Sequence, residues 1–110
     1  MVKPKRFDVH LVSLDPTIGA EIQKTRPCIV VSPDESNKRL NTVVVVPITS
    51  AIRSYPSRVN LNFRGREGQA AIDQIRSVDD SRLIRRVGKV DDATAEHLME
   101  TLGEYFSFAG

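Results

Sequence analysis

The sequence predicts a mostly β fold, a small and strongly bent antiparallel barrel carrying one C-terminal helix. Three observations lead there. Apolar and polar residues alternate through Phe7–Asp15 and Ser57–Phe63, the period of a half-buried strand. Thr42–Ile48 is almost entirely β-branched, the composition of a central strand buried on both faces. Past Asp91 the apolar residues recur every three or four positions, which is the period of an amphipathic helix.

Taken in order, Phe7, Val9 and Leu11 fall on one strand face and Asp8, His10 and Val12 on the other. Asp15-Pro16 ends that strand, because proline removes a ladder donor and fixes φ. Pro16–Pro27 has no clean period, and a loop of that length in so small a domain points to function. Cys28–Ser32 is an apolar strand, and Pro33-Asp34-Glu35-Ser36-Asn37 reads as a polar turn. Pro47 predicts a bulge or an exit near the end of the central strand. Val59, Leu61 and Phe63 share a face, Gly65–Gly68 is a turn, and Gln69–Val78 gives one or two short strands. Asp79-Asp80-Ser81-Arg82-Leu83 is placed to form a single helical turn capped by an aspartate, Ile84–Val90 forms a last basic strand, and Asp91-Asp92 caps the terminal helix. Its stripe is Ala95, Leu98, Met99, Leu102, Tyr105 and Phe106. Six or seven short strands bent into a barrel leave few exposed edges.

The chain has 110 residues, 40% hydrophobic and 27% charged. That is one domain, 1–110, since two independent cores would need more material. The longest apolar runs, Cys28–Val31 and Val43–Val46, are too short to cross a bilayer. The basic stretch Met1–Arg6 leads into no signal-peptide core, so no membrane association and a cytoplasmic location are expected. Cys28 is the single cysteine and the two histidines lie far apart, which argues against a disulfide or a zinc site; no metal and no cofactor are expected. The net charge of +2 is mild. Basic groups at Lys3, Lys5 and Arg6, at Arg64 and Arg66, and at Arg82, Arg85, Arg86 and Lys89 fit either a polyanionic ligand or ordinary solvated surface.

Three segments together resemble the MazF/PemK toxins. The first is Asp8–Pro27, a strand followed by Asp-Pro, Gly19-x-Glu21 and Arg26-Pro27. The second is Val44–Ser50, Val-Val-Val-Pro-Ile-Thr-Ser, and the third is Asp73-Gln-Ile-Arg-Ser-Val-Asp79. They occur in the family's order over almost the whole chain. The resemblance implies an SH3-like barrel of the MazF/CcdB type with a C-terminal helix, working as a homodimer. It implies metal-independent cleavage of single-stranded RNA, leaving a 2′,3′-cyclic phosphate and a 5′-hydroxyl. It also implies a partner antitoxin whose disordered tail binds across the toxin, for which Arg85, Arg86 and Lys89 would suit an acidic segment.

Matched to this family, the catalytic residues fall on Arg26 and Thr49. Attack of a ribose 2′-oxygen on phosphorus builds negative charge on the non-bridging oxygens, which a fixed guanidinium and a hydroxyl both stabilise. Glu21 is read as folding back to orient Arg26, with solvent exposure as its alternative. Glu21 and Asp73 are both candidates for helping proton transfer, since an arginine makes a poor base. RNA contacts are expected from Glu21, Ser50, Tyr55, Asp73, Gln74 and His10. For Asp73 the alternative is a turn cap, for Gln74 a bond to buried backbone, and for Tyr55 a cover over the barrel end. His10 either stacks on a splayed base or is a half-buried strand histidine. Arg76 is read as structural, paired with Asp79, with the RNA phosphate as its alternative partner, and His97 as solvated. Some relatives give an acid/base role to an arginine two residues before the acid of the third motif; Ala71 stands there, which leaves the arginine–threonine pair.

Two other functions are weighed. A CcdB-like gyrase-binding toxin shares the fold, but the tail Tyr105–Gly110 has no tryptophan, which disfavours it. A catalytically silent nucleic-acid-binding barrel follows from the fold alone.

Overall fold

A computed structural model describes residues 3–108. Met1, Val2, Ala109 and Gly110, the outermost residues of the basic stretch and of the tail, lie outside the described residues. The elements run β1 (Asp8–Ser13), β2 (Thr25–Val30), α1 (Asp34–Arg39), β3 (Thr42–Thr49), β4 (Arg58–Phe63), β5 (Arg66–Ala71), β6 (Arg76–Asp79), β7 (Leu83–Lys89) and α2 (Asp92–Tyr105). Single 3-10 turns at Ile72–Gln74 and Asp80–Arg82 join β5 to β6 and β6 to β7.

The strands pair antiparallel in the order β4-β5-β3-β2-β1-β7, with β6 set beside β3. As its composition predicts, β3 is the central strand. Val46 and Ile48 face one core with Val9, Ile29, Val59, Ile72 and Leu98. Val43 and Val45 face another with Val12, Leu14, Cys28, Val30 and Val78. Along its outer edge β3 pairs first with β6, at Thr42–Val45, and then with β5, at Ile48–Thr49. Pro47 lies between the two ladders and has no N–H to give, so a change of partner costs nothing there. The strand continues to Thr49.

The curled sheet does not close into a full barrel. β4 and β7 end the path unpaired with each other, and their gap is bridged by a ring. A Cβ on Gly88 would stand 3.1 Å from two adjacent carbons of the Phe63 ring, so the ring edge seats directly on bare backbone. Helix α2 covers the larger core through Ala95, Leu98 and Leu102. Asp91 caps it, accepting from the Thr94 amide at 2.7 Å, and that amide holds its carboxyl below the usual range. Asp79 likewise caps the second 3-10 turn through the Ser81 amide.

Three expectations need correction. Residues 34–39 form a helix and not a turn; its one buried side chain is Asn37, so no apolar stripe announced it. The predicted stripe of α2 is only half covered, with Met99, Tyr105 and Phe106 exposed. The turn is tighter than expected: Arg66–Gly68 already belong to β5. Only Arg64 and Gly65 span the hairpin, with φ of 54° and 79°, the positive pair that two-residue hairpin turns use.

Candidate active site

Ladder register brings the two predicted catalytic residues together. Cys28 on β2 pairs with Pro47 on β3, and continuing that antiparallel register by two residues sets Arg26 opposite Thr49. Both side chains line a hollow of about 180 Å³, with Ser50, Arg66, Glu67 and Gly68 among its walls. Thr49 is 8% exposed. Its Oγ1 accepts from the Ala51 amide at 3.1 Å, which fixes the rotamer and leaves the hydroxyl proton free to donate. Arg26 Nε donates to the Gln23 carbonyl at 3.2 Å. The side chain is thereby steered at its elbow, while its two terminal nitrogens keep their N–H groups without a partner among the described residues. Such a fork suits the oxygens of a phosphate.

Gly68 makes this approach possible. A Cβ there would stand 2.9 Å from the Thr49 carbonyl oxygen. The tight Arg64-Gly65 turn fixes the β4–β5 register, Leu61 opposite Gly68 and Asn60 opposite Gln69, and so delivers the bare position to Thr49.

Glu21, Asp73 and Gln74 gather elsewhere, in a hollow of about 310 Å³ bounded also by Pro47 and Arg76. Their hydrogen bonds are largely internal. Glu21 does not reach Arg26; its Oε1 accepts from the Ile18 amide at 2.7 Å. Gln74 binds the same loop, accepting from Ile22 N at 3.2 Å and donating to the Ala20 carbonyl at 3.4 Å. Asp73 accepts from Arg58 Nε at 2.8 Å and from the Ser57 hydroxyl at 2.9 Å. Burial alone pushes its carboxyl up, but the bonds from Arg58 and Ser57 together outweigh this and hold it below the usual range. Arg76 donates to the Leu14 carbonyl at 3.1 Å and not to Asp79.

Ser50 is exposed at the rim of the first hollow. Tyr55, half exposed, lies with its ring 5.1 Å from the Arg58 guanidinium carbon. His10 belongs to neither hollow. It is 9% exposed and neither ring nitrogen has a hydrogen bond. Burial, opposed by Asp8 at 3.8 Å, lowers its pKa. His97 is exposed, as expected.

Sequence reasoning missed the residues that hold the second loop. Gln69 is 3% exposed. Its Nε2 donates to the Arg53 carbonyl at 2.9 Å and to Asn60 Oδ1 at 2.8 Å, while its Oε1 accepts from Arg53 N at 3.0 Å. Gln69 and Gln74 thus tie down the loops that follow Thr49 and precede Arg26. Only the β4–β5 pairing connects Gln69, Arg58 and Asp73, and no local pattern signals it.

Known proteins resemble this chain in sequence and in fold. Residues 5–106 match the model of the PemK-like, MazF-like toxins of type II toxin–antitoxin systems. The chain is 37% identical over 108 residues to endoribonuclease MazF9 of Mycobacterium tuberculosis, covering 89% of this chain and 92% of that protein. It is 30% identical over 104 residues to endoribonuclease EndoA of Bacillus subtilis, covering 89% and 90%. The crystal structure of MazF from Deinococcus radiodurans superposes with a TM-score of 0.83 at 25% identity, over 96% of this chain and 97% of that one. The curled antiparallel sheet and the C-terminal helix are therefore those of a PemK-like, MazF-like toxin of a type II toxin–antitoxin system, the family to which this chain belongs.

Proposed function

We propose that this protein is an endoribonuclease toxin that cleaves single-stranded RNA at the Arg26–Thr49 hollow. The observation that carries the reading is the free terminal fork of Arg26 facing the same hollow as the immobilised Thr49 hydroxyl. The ribose 2′-oxygen attacks the adjacent phosphorus, the P–O5′ bond breaks, and a 2′,3′-cyclic phosphate and a 5′-hydroxyl result. Arg26 binds the non-bridging oxygens as their charge grows, and Thr49 adds a third donor. Arg66, on the same wall, raises the local positive potential.

The 2′-proton must leave and the 5′-oxygen must gain one. Of the carboxylates weighed from the sequence, Asp73 is tied to Arg58 and Glu21 to its own turn. Glu67 is the acid that lines the catalytic hollow, and we assign it the proton-accepting role, with solvent water supplying the proton that the departing 5′-oxygen takes up. The antitoxin partner follows from the family description; an extended acidic tail would find an unpaired strand edge and the exposed Arg85, Arg86 and Lys89 on β7. The proposed toxin acts on messenger RNA in the cytoplasm, as the homodimer that the family resemblance implies.

The test incubates the purified chain with single-stranded RNA in excess chelator. Cleavage with 5′-hydroxyl ends, reduced at least a hundredfold by Arg26→Ala and strongly by Thr49→Ala, is expected. Intact RNA, or cleavage indifferent to both substitutions, overturns the mechanism.

A further inference from the structure

Beyond the Gly68 wall lies another hollow, of about 420 Å³, lined by Ile52, Asn60, Leu61, Asn62, Glu67 and Gly68. It shares Glu67 and Gly68 with the Arg26–Thr49 hollow, so an RNA strand reacting in one borders the other. Asn60 opposes Gln69 and Asn62 opposes Glu67 across the hairpin, and alternation along each strand puts these four side chains on one face.

The orientation of Asn60 is dictated by a chain of hydrogen bonds. Arg53 offers Gln69 one backbone N–H and one carbonyl, so its amide and oxygen ends are both assigned. The Gln69 N–H then claims the Asn60 oxygen at 2.8 Å. What remains of exposed Asn60 is its NH2 group, which has no partner among the described residues. Asn62, also exposed, keeps both a donor and an acceptor. Ile52 is 55% exposed on the rim and supplies an apolar surface against which a flat base can lie. Unstacked bases of single-stranded RNA are read in this way, by contact on the ring face and hydrogen bonds along an edge.

The geometry points to a base-reading subsite in this hollow, in which Asn60, held donor-outward by Gln69, and Asn62 select a nucleotide flanking the scissile bond. This rests on the ribonuclease reading above. Asn60 favours a base that presents a carbonyl oxygen or a bare ring nitrogen to it and disfavours one presenting only N–H groups.

The experiment maps the 5′-hydroxyl ends produced on one long natural RNA by the parent chain and by Asn60→Asp and Asn62→Ala. Asn60→Asp keeps an oxygen for Gln69 and replaces the outward donor by an acceptor. Both positions are exposed, and unchanged thermal melts establish that the fold is kept. The expected result is a reordering of cut sites, with base preference at one flanking position shifting about tenfold. The same sites in the same proportions, or a uniform loss at every site, overturns the subsite. If the parent chain leaves RNA intact, the ribonuclease reading fails and takes the subsite with it.

Discussion

Gly68→Ala tests whether close backbone approach builds the catalytic hollow. The new Cβ would stand 2.9 Å from the Thr49 carbonyl oxygen and 3.4 Å from Ile48 Cγ2. The first contact is about half an ångström too short for ordinary van der Waals packing. Its partner is strand backbone, which cannot rotate aside as a flexible side chain can. Either β5 recedes from β3 or Thr49 moves. Overpacking of this kind costs about 1–3 kcal/mol, which in a domain of this size lowers Tm by roughly 4–20 °C. A misplacement of about 1 Å in a catalytic group costs about a hundredfold in rate, so half that distance predicts about a tenfold loss in kcat/KM. Cleavage of a short fluorogenic single-stranded RNA and a circular-dichroism melt measure the two effects. Gly103→Ala is the control: nothing lies within 4 Å of its Cβ, and in the interior of α2 it stabilises by about 0.5–1 kcal/mol. A Gly68→Ala protein with the parent's Tm and kcat/KM would refute the reasoning.

Arg58→Ala removes the main partner of Asp73, leaving the Ser57 hydroxyl as the remaining side-chain bond that opposes burial of that carboxyl. Because the folded pKa of Asp73 is depressed, the pair's contribution is present above the unfolded value and lost as pH falls through the folded one. Urea unfolding at pH 7 should show a loss of about 1–3 kcal/mol that shrinks by pH 3; an equal loss at both values contradicts the assignment. His10 has a lowered pKa through burial, so the unfolded chain takes up the proton first. Stability should fall as pH drops below about 6.5, and His10→Leu should flatten that slope; a variant with the parent's slope between pH 6.5 and 5 argues otherwise. Burial pushes the Cys28 thiol up to about 12, so the native protein should resist iodoacetamide at pH 8 and react once unfolded in urea. Rapid native alkylation would place Cys28 outside the core.

The strands were legible because their burial writes itself into period two, and β3 because burial on both faces forces a β-branched run. Helix α1 was not, since Asn37 anchors it through polar bonds to Ser32 and the Pro4 carbonyl and no apolar residue recurs. The Arg26–Thr49 meeting was legible through family motifs, and ladder register supplies its physical cause. The partners of Asp73 and Glu21 were not. Asp73 depends on Arg58, fifteen positions away and adjacent only through a hairpin, while Glu21 closes a turn on itself. The bent antiparallel barrel was legible too, but not that β4 and β7 stay unpaired with each other and meet through Phe63 on Gly88.

The two glutamines that restrain the site's loops hold those loops by their peptide groups, not by their side chains. Gln74 holds Ala20 and Ile22, and Gln69 holds Arg53, through N–H and carbonyl alone. Substitutions at those three loop positions therefore leave the moorings intact, save for proline at 22 or 53, which has no N–H to offer. The architecture separates what must stay from what can drift, so new RNA preferences can arise in the loops while Arg26 and Thr49 remain in register.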